Sequence, residues 1–293
     1  MDVVVVVVVS LVGDGDGDGC CADEGLEAGS STAYGSRVAL EIRSATAFRW
    51  GPPRLVGQES DLVRVLEEGA VTVVLMANAS EGGFSSCWPA GSRLLLDLFE
   101  AEWAGTCGEV AARLEEAFRG VARRFAETAP SLCPDAMWDA EDAPTGCLLV
   151  LVGTELGWQA AWIGGDVAVL VRRGEVVGAT RPHTLLEHFR AESPDREVDP
   201  AIIPAVIART IGLPGERSMT PSFAAFTWEP SDTLVVMNWS LHRGDAGAVQ
   251  AAAKEAARSA SPSALAERLV EQAWSRELLA YAAVAVLRLE GDA

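Results

Sequence analysis

A chain of 293 residues can bury one sizeable core, which favours a single domain of roughly 250 residues. Its 23 basic against 42 acidic residues give a formal charge of −19, which argues against nucleic acid or an anionic membrane as the main partner. Six cysteines without a C-x-x-C pair, and three histidines without metal-ligand spacing to them, form no zinc motif and fit buried thiols in a reducing, cytoplasmic setting.

Residues 2–12, D-V-V-V-V-V-V-V-S-L-V, are apolar but too short to span a bilayer, and Asp2 stands where a signal peptide carries basic residues. Gly13 to Gly19 alternates Gly and Asp without the remaining ligands of a calcium loop. Residues 1–35 are therefore expected to be a low-complexity, disordered tail whose removal leaves the fold intact, although such a valine run can add an edge strand. The domain is expected over residues 36–293.

Arg37 to Ile42 and Thr46 to Trp50 have strand character, and Leu62 to Leu66 and Val71 to Met76 read as a strand pair turned at Glu67-Glu68-Gly69. Two helices follow, Arg93 to Trp103 and Glu109 to Ala126, the second with Val110, Leu114, Phe118, Val121 and Phe125 on one face. The central stretch from Thr145 to His188 holds three apolar runs, Leu148 to Val152, Trp158 to Ile163 and Val167 to Val171. Gly153 to Gly157 and the pair Gly164 and Gly165 separate them, and a turn at Arg172 to Glu175 leads into Val176 and Val177. This reads as one antiparallel meander, with Leu148 to Val152 apolar on both faces and so covered on both sides. The glycine pair marks a bulge, a tight turn or a close approach of backbone.

Beyond it come a short helix at Leu185 to Arg190, an apolar segment from Pro200 to Thr210, and strands at Ser222 to Trp228 and Thr233 to Met237. Helices are expected over Ala246 to Ser259 and Pro262 to Trp274, the latter capped by Ser261, and a last strand over Ala282 to Leu289. Two sheet-forming halves with helix pairs give a layered α/β (α+β) sandwich with mostly antiparallel pairing. The tryptophans Trp88, Trp103, Trp138, Trp158, Trp162, Trp228 and Trp274 read as packing residues.

The order of these elements and several strings resemble the metal-dependent protein phosphatases, the type-2C or PPM-type serine/threonine family. W-I-G-G-D-V-A-V-L-V-R-R-G-E-V-V-G-A-T-R-P-H is similar to the family's V-G-D-S-R-A-Y-L-x-R-x-G-x-L-x-x-L-T-x-D-H, and I-A-R-T-I-G at Ile207 to Gly212 to its V-x-T-R-A-L-G. The resemblance spans about Ser36 to Leu289 and implies a four-layer α-β-β-α sandwich of two mostly antiparallel sheets. It further implies a cluster of aspartates that holds two Mg²⁺ or Mn²⁺ ions, because hard cations take carboxylate oxygens and lower the pKa of bound water.

Matched position by position, Arg54-Leu55-Val56-Gly57-Gln58-Glu59 resembles R-x-x-N-Q-D, keeping the phosphate-holding Arg54 and offering Glu59 for the Asp. Asn78 and Ala79 stand for the Asp and Gly of A-D-G-M-G-G. Gly165, nine before Gly174, takes the Asp position of G-D-S-R. Trp239 takes that of L-L-x-S-D-G-L, and Ala280 that of the final D-N-x-T-V-V. Asp166 is one residue off and faces the other side of the strand unless a bulge turns it. His183 keeps the family's histidine but follows Pro182 in place of Asp, and reads as structural.

Glu59 is thus acidic, whereas Asn78, Gly165, Trp239 and Ala280 are neutral. This implies a dismantled two-metal site with no cofactor: a pseudophosphatase that binds a protein partner, a phosphoprotein or a kinase, through Arg54. The alternative is an active phosphatase with two Mg²⁺ or Mn²⁺ ions on a shifted acidic set, Glu59, Asp61, Glu81 and Asp166.

Overall fold

The structure, a computed structural model, describes residues 3–11, 40–50, 63–68, 71–80, 88–132, 145–154, 157–194, 206–212, 219–275 and 281–290. In chain order the strands are β1 (Val3–Leu11), β2 (Leu40–Trp50), β3 (Val63–Glu68), β4 (Val71–Ser80), β5 (Thr145–Thr154), β6 (Gly157–Ile163), β7 (Val167–Arg172), β8 (Glu175–Ala179), β9 (Ser222–Phe226), β10 (Thr233–Met237) and β11 (Tyr281–Glu290). The helices are α1 (Trp88–Ala104), α2 (Val110–Thr128), α3 (Leu185–Glu192), α4 (Trp239–His242), α5 (Ala246–Arg258) and α6 (Pro262–Ser275).

Two sheets form, in the orders β1-β2-β11-β10-β7-β8 and β3-β4-β5-β6-β9, and every registered pair is antiparallel. Side-chain alternation sorts the residues into layers. On β4 and β5, Val73, Leu75, Leu148, Val150 and Val152 meet α1 and α2 through Leu95, Phe99, Phe118 and Phe125. Their alternate neighbours Val74, Met76, Leu149 and Leu151 meet Ala168, Leu170, Leu234, Val236 and Ala285 of the other sheet. The outer face of that sheet, with Val169, Val235 and Val286, is covered by Ala253, Leu265 and Leu269 of α5 and α6. The result is the four-layer α-β-β-α sandwich, and it explains why β5 is apolar without alternation: both its faces are buried.

Local signals place several ends. Ser261 Oγ accepts the Ala264 N–H at 3.2 Å, capping α6, and Asp245 Oδ1 accepts the Gly247 N–H at 2.7 Å at the start of α5. Trp103, Trp158 and Trp162 are buried as packing residues, and Trp158 meets Trp228 edge-on at 5.3 Å.

Four expectations change. The central stretch is not one meander: β5 and β6 lie in the five-stranded sheet and β7 and β8 in the six-stranded one, so the chain changes sheets at Gly164 and Gly165. Val3–Leu11, expected within a disordered tail, is an edge strand registered along β2 from Val3 with Phe48 to Leu11 with Leu40, as its β-branched composition permits. Glu67 and Glu68, expected in a turn, extend β3 opposite Thr72 and Val71. The segments read as two strands before Trp50 form β2 as one element. No described helix is long and apolar enough to cross a membrane.

Candidate functional site

The sheet change brings the matched positions together. Asn78 on β4 lies opposite Cys147 on β5, and Cys147 Sγ accepts the Gly165 N–H at 3.3 Å. Trp239 and its helix α4 follow β10, the neighbour of β7, with Val167 registered to Met237. The end of the sandwich where β4, β5, β7 and β10 meet therefore holds Asn78, Gly165, Asp166 and Trp239. Glu59, Arg54, Asp61, Glu81 and Ala280 lie outside the described residues.

Gly165 is set against the indole. A Cβ built on it would lie 2.9 Å from Trp239 Cε3, so that the indole would have to shift, and 3.0 Å from Ile207 Cδ1, a tight contact. The side chain of an acidic residue at position 165 and the indole at position 239 thus compete for one volume. Trp239 is half-buried and packs edge-on to His242 with centroids 5.2 Å apart.

Asp166 does not face solvent: it is 1% exposed, and its Oδ1 accepts the Trp239 backbone N–H at 2.9 Å. Its position continues the alternation of Ala168 and Leu170, which face the space between the sheets, as do Met76 ahead of Asn78 and Val236 ahead of Asn238. Burial raises its pKa from 3.8 to about 7 against the opposing effect of the Trp239 N–H. The same burial, with Asp166 nearby, pushes the Cys147 thiol well above its ordinary value. Of the described cysteines Cys147 is buried as expected, whereas Cys107 is exposed.

Two histidines brace the corner. His183 Nδ1 accepts the Gly164 N–H at 3.1 Å, so its neutral ring carries the proton on Nε2, which donates to Ser222 Oγ at 2.8 Å. Its own backbone N–H donates to Gly164 O at 2.8 Å, and its ring stacks on Trp162. His242 Nε2 donates to Gly165 O at 2.9 Å while its Nδ1 accepts the Gly244 N–H at 3.0 Å. Burial lowers both pKa values from 6.5 to about 4, with Arg209 adding to the effect at His183. His183 is thus a bracing residue, as its sequence context implied. His242, Cys147 and Asn238 were not singled out by the sequence reading. Asn238 Oδ1 accepts the Ala283 N–H at 3.1 Å, which ties β10 to β11 beside the site. Their contacts to Gly165 and Ala283 are to residues distant in sequence, and no local motif signals them.

These shifts set a pH dependence. Each histidine stays neutral in the folded state but takes up a proton in the unfolded state below about pH 6.5, so its contribution is complete above that pH and lost as pH falls toward 4. Asp166 has the opposite sign, since the folded state holds its proton between pH 7 and 3.8. Two groups outweigh one, and Tm is expected to fall between pH 6.5 and 4, with a limiting slope of about 1.4 kcal/mol per pH unit for one net proton. Melting curves across this range, with His242→Gln expected to flatten the fall, check it. A Tm that rises on acidification contradicts it.

A two-ion centre requires several converging carboxylate oxygens. Asp166 Oδ2 is buried without a hydrogen-bond partner among the described residues, and is the atom best suited to a hard cation. No three His, Cys, Asp or Glu side chains gather as a metal cage among the described residues. Asn78, Gly165 and Trp239 supply no carboxylate, so this set by itself does not fit two ions.

Comparison with known proteins places the architecture. No protein-family model and no curated protein matches the chain. Among solved structures, the S. agalactiae serine/threonine phosphatase aligns with 86% of this chain and 100% of its own at TM-score 0.66 and 19% identity. The catalytic domain of the serine/threonine protein phosphatase PstP, in complex with 2 manganese ions, aligns over 86% and 99% at TM-score 0.62 and 16% identity. The PPM Ser-Thr phosphatase MsPP from Mycobacterium smegmatis aligns over 84% and 97% at TM-score 0.58 and 18% identity. The chain has the fold of the PPM-type serine/threonine phosphatases, the fold its motifs implied. The expectation of no cofactor is corrected on the same comparison, because the catalytic domain of PstP, which shares this fold, holds 2 manganese ions.

Proposed function

We propose that this chain is a PPM-type phosphatase relative working as a pseudophosphatase: it engages a phosphorylated protein segment, or the kinase that makes one, with hydrolysis lost or strongly reduced. The observation that carries this reading is the steric exchange at the corner, in which Trp239 takes the volume that a side chain at position 165 needs. The reading concerns turnover and leaves ion binding to measurement. With Mn²⁺ supplied, an aryl phosphate is expected not to be hydrolysed above background, and metal content measured on the same sample separates an unreactive site from an unfilled one.

A second reading, an active phosphatase on the shifted set Glu59, Asp61, Glu81 and Asp166, is favoured by the buried Asp166 carboxylate with its unpartnered Oδ2. Turnover that vanishes in Glu59→Ala or Asp166→Ala would establish it in place of the first.

Partner recognition is assigned to Arg54, whose guanidinium can grip a phosphate or carboxylate through paired N–H donors. Arg54→Ala is expected to weaken binding of the partner by about 1.5–3 kcal/mol with Tm nearly unchanged. Pull-down followed by calorimetry checks this, and equal affinity for every partner captured removes Arg54 from the site.

A further inference from the structure

The two sheets end in four edge strands, β1 and β8 on the six-stranded sheet and β3 and β9 on the five-stranded one. An edge strand leaves a row of backbone N–H and C=O groups without strand partners, and proteins commonly blunt such rows by shortness, charge or proline. β3 carries Arg64, Glu67 and Glu68 within 6 residues. β8 is 5 residues long, with Glu175 at its start and Gly178 inside it, and β9 is also 5 residues long. β1 has none of these devices. It runs for 9 residues, V-V-V-V-V-V-V-S-L, without a charge, a proline or a glycine.

One edge of β1 is engaged with β2 along its whole length, from Val3 with Phe48 to Leu11 with Leu40, and β2 is closed on its other side by β11. No described strand pairs with the opposite edge of β1. At about 3.4 Å per residue, that edge is about 30 Å long. Its sequence suits a second copy of itself. Two β1 strands laid antiparallel in full overlap set Val7 opposite Val7 and Val3 opposite Leu11, and β-branched pairs are well suited to a pleated surface. Copies of a chain with net charge −19 repel one another, and β1 is a stretch where two of them meet with no like charges opposite each other. Antiparallel pairing of one strand with its own copy has two-fold symmetry, so it closes at two chains. A contact one strand long falls short of the about 800 Å² per partner that stable interfaces bury, which makes the dimer weak and concentration-dependent.

We propose that the protein self-associates through the outer edge of β1, with two copies joining their six-stranded sheets into one continuous sheet. Sedimentation velocity on the full chain, from about 1 to 200 μM, is expected to show monomer passing to dimer with no larger species. Val6→Pro and Val7→Pro test the edge, because successive N–H groups of a strand point to opposite edges. One of the two removes a donor from the outer row, and the other removes a donor from the bonds to β2. The substitution that leaves Tm at about 1 μM within about 2 °C of the parent marks the outer row, and it should raise the dimer Kd at least about tenfold. If both prolines lower Tm further, hydrogen exchange on the parent decides: amides within residues 3–11 should exchange at least about twofold more slowly at about 200 μM than at about 1 μM. The proposal is overturned by a monomer at the highest concentration, by species beyond the dimer, or by a dimer that the outer-row proline leaves unchanged. Exchange within residues 3–11 that does not depend on concentration overturns it too, since the edge is then covered within one chain.

Discussion

Gly164→Ala is expected to leave the protein insoluble, or folded with Tm lowered by roughly 10 °C. Gly164 adopts φ +118°, a conformation that side chains other than glycine's rarely adopt. A Cβ there would lie 2.3 Å from Cys147 Sγ, 2.4 Å from its Cβ and 2.8 Å from its Cα. The last of these is backbone of β5, a strand buried on both faces, so it cannot yield as a flexible side chain would. Backbone strain of about 1–3 kcal/mol and overpacking of about 1–3 kcal/mol act together. The sum is a large part of the roughly 5–15 kcal/mol that stabilises a typical domain. Circular dichroism melting of the purified variant is the measurement, and a Tm within 2 °C of the parent would mean that the corner is far more plastic than its geometry implies.

Gly165→Ala is expected to cost about 1–3 kcal/mol in the parent chain and distinctly less in a Trp239→Ala background. The new methyl meets the indole edge at 2.9 Å, and removing the indole opens that side while the Ile207 contacts at 3.0 and 3.1 Å remain. Partial relief is therefore predicted, not full recovery. The four chains of the double-mutant cycle, melted in denaturant, should give a coupling of about 1 kcal/mol or more in the direction of rescue. Strict additivity would show that Trp239 does not fill the volume beside position 165, and the steric support for lost turnover would go with it.

The corner and a neighbouring cavity differ in their lining. The corner is built from buried backbone contacts and holds Asp166 with a pKa raised by burial. The cavity beyond His183 is open and lined by two arginines. His183 touches both, through Gly164 on one side and Ser222 and Arg209 on the other. A change in its protonation would thus be felt at the turn between the sheets.

Much of the architecture was legible in the chain because it is written in short-range periodicity. The 3.6-residue spacing of Leu114, Phe118, Val121 and Phe125 presents one face whatever covers it, and those residues are buried against the five-stranded sheet. The unbroken apolar run in β5 announced a strand covered on both sides, and Ser261 marked the start of α6. The order of motifs pointed to the fold that the solved structures share. Tertiary structure alone decided which sheet each strand joins. A glycine pair signals a turn equally well within a sheet or between two, and only the pairing of β7 with β10 shows that the chain crosses at Gly164 and Gly165. The same holds for Asp166. Strand alternation counted from sequence sets its side, but whether that side meets water or the Trp239 N–H depends on a residue 73 positions away. The exchange of volume between Gly165 and Trp239, and the meeting of Arg181, Arg209 and Phe223 around one cavity, are likewise contacts between distant segments, which local hydrophobic pattern does not encode.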